Sequence, residues 1–246
     1  MIFCAGLGTR LKPLTDTMPK ALVSLAGKPL LQWQVEKLRD AGITDIMVNV
    51  HHFPDMIIDT IRQNNGWGCN IQISDERDLL LDTGGGLKKA LHLTANSQQP
   101  IAILACNVDI LSNIDLRALI AAYEQTGVCQ LVVSERVTQR YLCFDEQGLL
   151  QGWTNVATGE LKGKDGRHLA FSGMQILSPQ TLSLLSQMPN DKFSLIDFYL
   201  SLCEKNHTPY TVHHTPLKAY VPANYRMMDV GKIDQLAQAE RFAESL

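Results

Sequence analysis

The chain has 246 residues, 45% of them hydrophobic, enough for a sizeable core in one large domain or two small ones. A formal net charge of −3, without any general basic excess, argues against a broad nucleic-acid or membrane surface. No apolar run is long enough to span a membrane, the five-residue apolar start is too short for a signal peptide, and the six cysteines show no Cys-x-x-Cys spacing. The protein is therefore expected to be cytoplasmic, with reduced and buried thiols.

In chain order, Ile2, Phe3, Cys4 and Ala5 read as a first β-strand, and Gly6-Leu-Gly8 opens the loop after it. Two familiar glycine loops do not fit. Leu11 occupies the third glycine position of a Gly-x-Gly-x-x-Gly dinucleotide turn, and Pro13 and Pro19 prevent a helix running straight out of the glycines. A Walker A loop needs Gly-Lys-Ser/Thr, whereas Gly27-Lys28 is followed by Pro29. What remains is a long open loop whose backbone N–H groups, with Arg10, Lys12 and Lys20, suit a polyphosphate. Residues 6–28 carry four cations against Asp16, a local +3 that leaves −6 for the rest. So confined a cationic segment matches a small anionic ligand better than a long polyanion.

A helix is expected next, with Pro29 at its first position and Gly42 at its stop. Strands and helices then alternate: strand Ile43–Val50, helix Asp55–Asn64, strand Cys69–Ser74 and helix Leu87–Leu93. Strand Ile101–Ala105, helix Leu116–Gln125 and strand Val128–Ser134 continue the pattern. This alternation predicts an α/β fold, a Rossmann-like, mostly parallel sheet flanked by helices, with ligands outside the carboxyl ends of the strands. His51 and His52 end a strand at that edge without a third ligand, so zinc is not expected there. Trp33 reads as core, and Glu76 and Asp82 as solvated or capping acids.

From about residue 135 the pattern changes. Tyr141–Asp145 and Leu149–Trp153 flank Glu146-Gln147-Gly148 as a hairpin, and a polar stretch with three glycines, Thr158–Arg167, leads to strand Phe171–Leu177. Pro179 opens one helix and Ser194-Leu-Ile-Asp197 caps the start of another. Tyr210–His213 and Lys218–Val221 are expected as short strands, and Ile233–Glu244 as a closing helix. No linker or repeat divides the chain.

Several stretches together resemble the sugar-1-phosphate nucleotidyltransferases. They are Gly6-Leu-Gly-Thr-Arg10-Leu-Lys-Pro13 with Pro19-Lys20-Ala-Leu, LLLDTGGGLKKAL (79–91), NVDIL (107–111), FSGMQIL (171–177) and MMDVGK (227–232). The order and separations match over essentially the whole chain. The short length and the Leu-Asp-Thr-Gly-Gly-Gly run are most similar to the branch of the N-acetylmuramate-1-phosphate uridylyltransferases. The resemblance implies a GT-A-like mixed sheet in a single domain, residues 1–246. Residues 1–134 would mainly bind nucleotide, and residues 135–246, the small hairpin-bearing part, mainly the sugar phosphate.

It also implies a reaction: a sugar-1-phosphate oxygen attacks the α-phosphorus of a nucleoside triphosphate and pyrophosphate leaves. Two polyanions must meet, so positioning and electrostatics dominate over any nucleophilic side chain. On this resemblance Arg10 and Lys20 are catalytic, the Arg10 fork on the β- and γ-phosphates and Lys20 as a point charge near the α-phosphate. Ala5, Gly6, Gly8, Thr9, Gly84, Gly85 and Asn107 would bind the nucleotide, the Gly6–Thr9 backbone by wrapping the triphosphate and Gly84 and Gly85 by backbone approach to a base edge. Arg140, Gly173 and Asp197 would bind the sugar phosphate, although Asp197 is also a helix-start residue. Asp109 and Asp229 would hold Mg²⁺ together with substrate phosphates and water.

UTP is the expected triphosphate, with GTP-dependent transfer to mannose- or heptose-type phosphates as the alternative, and a catalytically idle sensor as the competing class. Three departures from the family pattern stand out. Asn107-Val108-Asp109 replaces the usual Asn-Gly-Asp, and no mid-chain lysine aligns as a phosphate grip, although Arg140, Lys162 and Lys164 are available. Family first strands begin a few residues earlier, so residues before Met1 are also expected.

Overall fold

The computed structural model describes residues 1–93, 102–205 and 215–246. Its first strands are β1 (Ile2–Phe3), β2 (Ser24–Leu25), β3 (Lys28–Pro29), β4 (Asp45–Val50), β5 (Asn70–Asp75), β6 (Ile103–Asn107) and β7 (Ile110–Ser112). The later ones are β8 (Cys129–Ser134), β9 (Arg140–Phe144), β10 (Leu150–Asn155), β11 (Glu160–Gly163), β12 (Arg167–Leu177), β13 (Leu217–Tyr220) and β14 (Met227–Asp229). The helices are α1 (Leu30–Asp40), α2 (Pro54–Gln63), α3 (Asp82–Leu93), α4 (Leu116–Thr126), α5 (Pro179–Ser186), α6 (Leu195–Lys205) and α7 (Leu236–Glu244).

One large sheet runs in the order β11-β10-β9-β12-β6-β1-β4-β5, with β8 on β12 and β13 on β8. β1 lies between β4 and β6, parallel to both, and β4 is parallel to β5. β12 runs antiparallel to β6 and carries the sheet over to the hairpin strands β9 and β10. The fold is α/β with a mixed sheet, parallel through its centre.

Side-chain alternation along the strands sorts the core into two layers. Ile2, Val48 and Cys106 face Leu31 and Val35 of α1 and Ile57 of α2. Phe3, Met47 and Ala105 face Leu87 of α3, Leu182 of α5 and Phe198 of α6. With helices covering both faces, the loops after β1, β4 and β6 are left to form a site.

The punctuation residues act as expected, with small shifts. Gly42 has φ +94° and its N–H donates to the Arg39 carbonyl at 2.8 Å, while that of Ile43 donates to Leu38 at 2.9 Å. Together these bonds close α1 in a Schellman motif. Pro29 precedes the helix as an extended cap instead of occupying its first turn. All six cysteines are free, and all but the half-buried Cys69 are buried.

Three elements differ from expectation. α3 begins at Asp82, five residues early, so Gly84–Gly86 lie inside its first turns and not in a loop before it. β11 forms within the polar 158–167 stretch; all four of its residues are exposed, so no apolar alternation announced it. β7 and β14 form a two-stranded ladder of three residues each, too short for any periodic signal. The strand expected over Tyr210–His213 falls outside the described residues.

Candidate active site

The loop after β1 is built around Gly8, whose φ of +63° suits glycine. A Cβ there would stand 2.8 Å from Thr15 Cγ2 and 3.1 Å from Lys20 Cβ, so the loop folds back directly over it. Short 3₁₀ turns at Thr9–Leu11, Leu14–Asp16 and Lys20–Leu22 replace a continuous helix, with Pro13 and Pro19 just before the second and third. Leu11 N–H and Thr15 Oγ1 both donate to the Gly8 carbonyl, at 2.8 and 2.9 Å. A His52 ring nitrogen meets the Thr15 carbonyl at 3.0 Å and ties the loop to the end of β4. The exposed Gly6 and Thr9 edge is thereby held open, while Ala5 is buried at its base.

Beneath the loop runs a hydrogen-bonded brace. Cys4 N–H donates to Asn49 Oδ1 at 2.8 Å, Asn49 Nδ2 donates to Glu76 Oε1 at 2.8 Å, and Leu81 N–H donates to Glu76 Oε2 at 3.2 Å. Glu76, expected as a solvated or capping acid, is only 1% exposed. Burial pushes its carboxyl above the usual range, against the opposing pull of the Asn49 and Leu81 hydrogen bonds and the Lys89 charge.

Two aspartates distant in sequence meet beside Lys20. Asp109 lies in the turn between β6 and β7. β14 pairs with β7 so that Asp229 is opposite Ile110, and Val230 N–H donates to the Asp109 carbonyl at 2.8 Å. Lys20 Nζ forms an ion pair with Asp109 Oδ2, and both side chains are largely buried. Arg10 Nη2 lies 4.0 Å from Asp229 Oδ2, and this pair is about half exposed. Burial raises the Asp229 carboxyl pKa and the Asp109 charge raises it further, while Lys20, Arg10 and Arg136 oppose the shift. An oxygen-only donor pair whose like charges raise a pKa fits a hard divalent cation such as Mg²⁺.

Gly84 and Gly85 sit differently from their expected role. Their N–H groups, expected to read a base edge, both donate to the Phe193 carbonyl, at 2.9 and 3.2 Å. A Cβ on Gly85 would lie 1.9 Å from the Asp191 carbonyl oxygen. Glycine here permits close packing of the Asp191–Phe193 segment on α3.

Asn107 and Gly173, expected on opposite substrates, are in contact. Gly173 has φ +66° at the register shift of β12 against β8, and a Cβ there would be 2.6 Å from Asn107 Nδ2. Beyond this junction, a cavity of about 450 Å³ opens between the hairpin strands and α6, and Arg140 and Asp197 both line it. Asp197 also caps α6: its N–H donates to Ser194 Oγ at 3.1 Å, and that hydroxyl donates to Asp197 Oδ2 at 2.9 Å. Lys162 lines the same cavity, whereas Lys164 does not. Nothing in the sequence marks Arg136, an isolated arginine just after β8. Its guanidinium donates to the Phe171 carbonyl at 3.0 Å, and it lines both this cavity and an adjoining one that contains Asp229.

With this geometry in view, comparison with known proteins is informative. Residues 1–141 match the family model described as nucleotidyl transferase. The N-acetylmuramate alpha-1-phosphate uridylyltransferase of Caulobacter vibrioides is 33% identical over 213 residues, 82% of this chain and 83% of that protein. A mannose-1-phosphate guanyltransferase of Saccharomyces cerevisiae is 29% identical over 198 residues, 77% of this chain and 52% of that protein. HddC from Yersinia pseudotuberculosis, solved in complex with GMP-PN, shares the fold with a TM-score of 0.73 at 24% identity, covering 98% of this chain and 97% of that one. Among the described residues no helix is long and apolar enough to cross a membrane. One family model spans more than half the chain, and a relative one-third identical covers most of it, so the chain belongs to the nucleotidyl transferase family.

Proposed function

We propose that this enzyme condenses a nucleoside triphosphate, UTP in preference, with N-acetylmuramate 1-phosphate or a related sugar 1-phosphate, giving a nucleotide sugar and pyrophosphate. The observation that carries this is the meeting of Lys20, Asp109 and Asp229 at the mouth of the Gly6–Lys20 loop. The Gly6–Thr9 backbone wraps the triphosphate, with Ala5 and Asn107 beneath it, and Arg10 takes the β- and γ-phosphates through its planar fork. Lys20 neutralises charge at the α-phosphate as the new bond forms. Asp109 and Asp229 are the residues that would hold Mg²⁺, which when bound offsets repulsion between the two substrates' phosphates. Gly84 and Gly85 support the base side through the packing of α3. Residues 1–134 serve mainly the nucleotide, and Arg140, Gly173 and Asp197 in the later part serve the sugar phosphate.

The preference for UTP is supported by the uridylyltransferase relative, which aligns over 83% of its own length, against 52% for the guanyltransferase. A mass-spectrometric screen of UTP, GTP and the other common triphosphates against a panel of sugar 1-phosphates tests both parts. The expected product is a UDP-sugar with matching pyrophosphate. A higher kcat/KM with GTP would overturn the choice of base, and no product from any pair would favour an idle sensor.

A further inference from the structure

The hairpin strands carry a cluster of side chains that the proposed reaction does not use. Cys143 on β9 is directly opposite His168 on β12 and, on its other side, Gly152 on β10, which in turn is opposite Gly163 on β11. Directly opposed residues share a face of a sheet, so these four form one row. Gly152 leaves the row without a side chain beside Cys143, and the chain after β11 turns back over that gap. Lys164 N–H donates to the Gln151 carbonyl at 3.1 Å, and the Lys164 carbonyl passes so close to Gly152 that a Cβ there would not fit. Gly166 likewise has no room for a Cβ against the Phe144 carbonyl. This close seating sets the Asp165 carboxylate against both Cys143 and His168.

The carboxylate meets a His168 ring nitrogen at 2.6 Å and accepts from the Cys143 thiol. One ligand atom from each of the three residues lies within 4.8 Å of the other two, and no other such group occurs among the described residues. Cys143 is fully buried, whereas Asp165 and His168 are exposed, so the thiol is the floor of a cluster open to water on one side. The His168 ring is stacked on Tyr141, with centres 5.7 Å apart and planes 20° from parallel, which fixes its orientation.

We propose that Cys143, Asp165 and His168 form a site for a divalent cation of the zinc class, with water as the fourth ligand, that fastens β9 to β12. Sulfur, imidazole nitrogen and carboxylate oxygen together are the donor set of a borderline-soft ion, whereas Mg²⁺ prefers oxygen alone and does not match a thiolate. On binding, the thiol proton leaves to water, together with the second imidazole proton when the histidine is charged, and the cation takes their place. β12 also pairs with the central strand β6, so the ion ties the hairpin to the middle of the sheet.

The test uses Co²⁺, whose charge-transfer absorption in the near ultraviolet reports a bound thiolate. Chelator-treated, reduced protein is titrated with Co²⁺ in excess Mg²⁺, which occupies carboxylate-only sites. Native protein should take up about one equivalent with the thiolate band. Cys143→Ser should lose the band, and His168→Gln, a change at an exposed side chain, should stay folded and bind Co²⁺ at least about tenfold more weakly. Zn²⁺ at about a hundred times its Kd should raise the melting temperature of native protein by roughly 5 °C or more, and the rise should disappear in His168→Gln. Co²⁺ bound without a thiolate band, a band that survives in Cys143→Ser, or undiminished affinity in folded His168→Gln overturns the proposal and leaves Asp165 and His168 as a surface ion pair.

Discussion

Lys20 and Asp109 form an ion pair with both side chains less than one-fifth exposed, and Asp229 stands next to it across the β7–β14 ladder. If these carboxylates hold the metal, Asp109→Asn and Asp229→Asn should each lower turnover at least about a hundredfold, with far-UV circular dichroism unchanged. In Asp109→Asn the amide oxygen can still accept from Lys20, so the variant should remain folded. Near-normal turnover in either folded variant would remove that residue from the metal site. Glu76 makes a different prediction. Its folded pKa is raised above the ordinary 4.5, so the folded state holds this proton more tightly than the unfolded chain. The corresponding stability is present in full below the ordinary value and is lost as pH rises through the raised one. Urea midpoints of native protein and Glu76→Gln between about pH 4 and 7 should show the native advantage shrinking as pH rises. An advantage that grows with pH would mean that the fold favours the carboxylate.

At this scale, what the sequence disclosed was local chemistry. Arg10, Lys20 and Gly8 stood out because glycine, proline and cations crowd into one short stretch. The union of Asp109 with Asp229 could not be read from their spacing, since a three-residue ladder makes it. Glu76 and Arg136 gave no signal, because burial and position decide their roles and neither is a property of neighbours in sequence.

At the scale of elements, α3 is the instructive case. Three consecutive glycines disfavour helix, by roughly 1 kcal/mol each relative to alanine, so propensity placed its start near Leu87. Packing decides otherwise: the Asp191–Phe193 segment approaches so closely that only glycine fits under it. Gly85→Ala improves helix propensity but sets a methyl against the Asp191 carbonyl. The clash should win, costing about 1–3 kcal/mol, measurable as a lower urea midpoint. An unchanged or raised midpoint would mean that the segment does not seat on α3. α1 and the hairpin were legible because Gly42 and Gly148 act where they stand, whereas β11 lies on an exposed edge and has no buried face to mark it.

At the scale of the molecule, the alternation of strands and helices disclosed the parallel centre, and the hairpin signal disclosed the change after residue 135. What it did not disclose is that β12 pairs with strands of both parts and seats Gly173 against Asn107, joining the two halves of the proposed site. That junction is where the α-phosphorus and the sugar phosphate would meet, and the fate of the α-phosphate tests it most directly. UTP radiolabelled at the α- or at the γ-phosphate would be incubated with a sugar 1-phosphate and the products separated. The α-label should appear in the nucleotide sugar and the γ-label in pyrophosphate, and neither should move without the sugar phosphate. Transfer of the γ-label to the sugar, or release of label independent of the sugar phosphate, would contradict attack at the α-phosphorus.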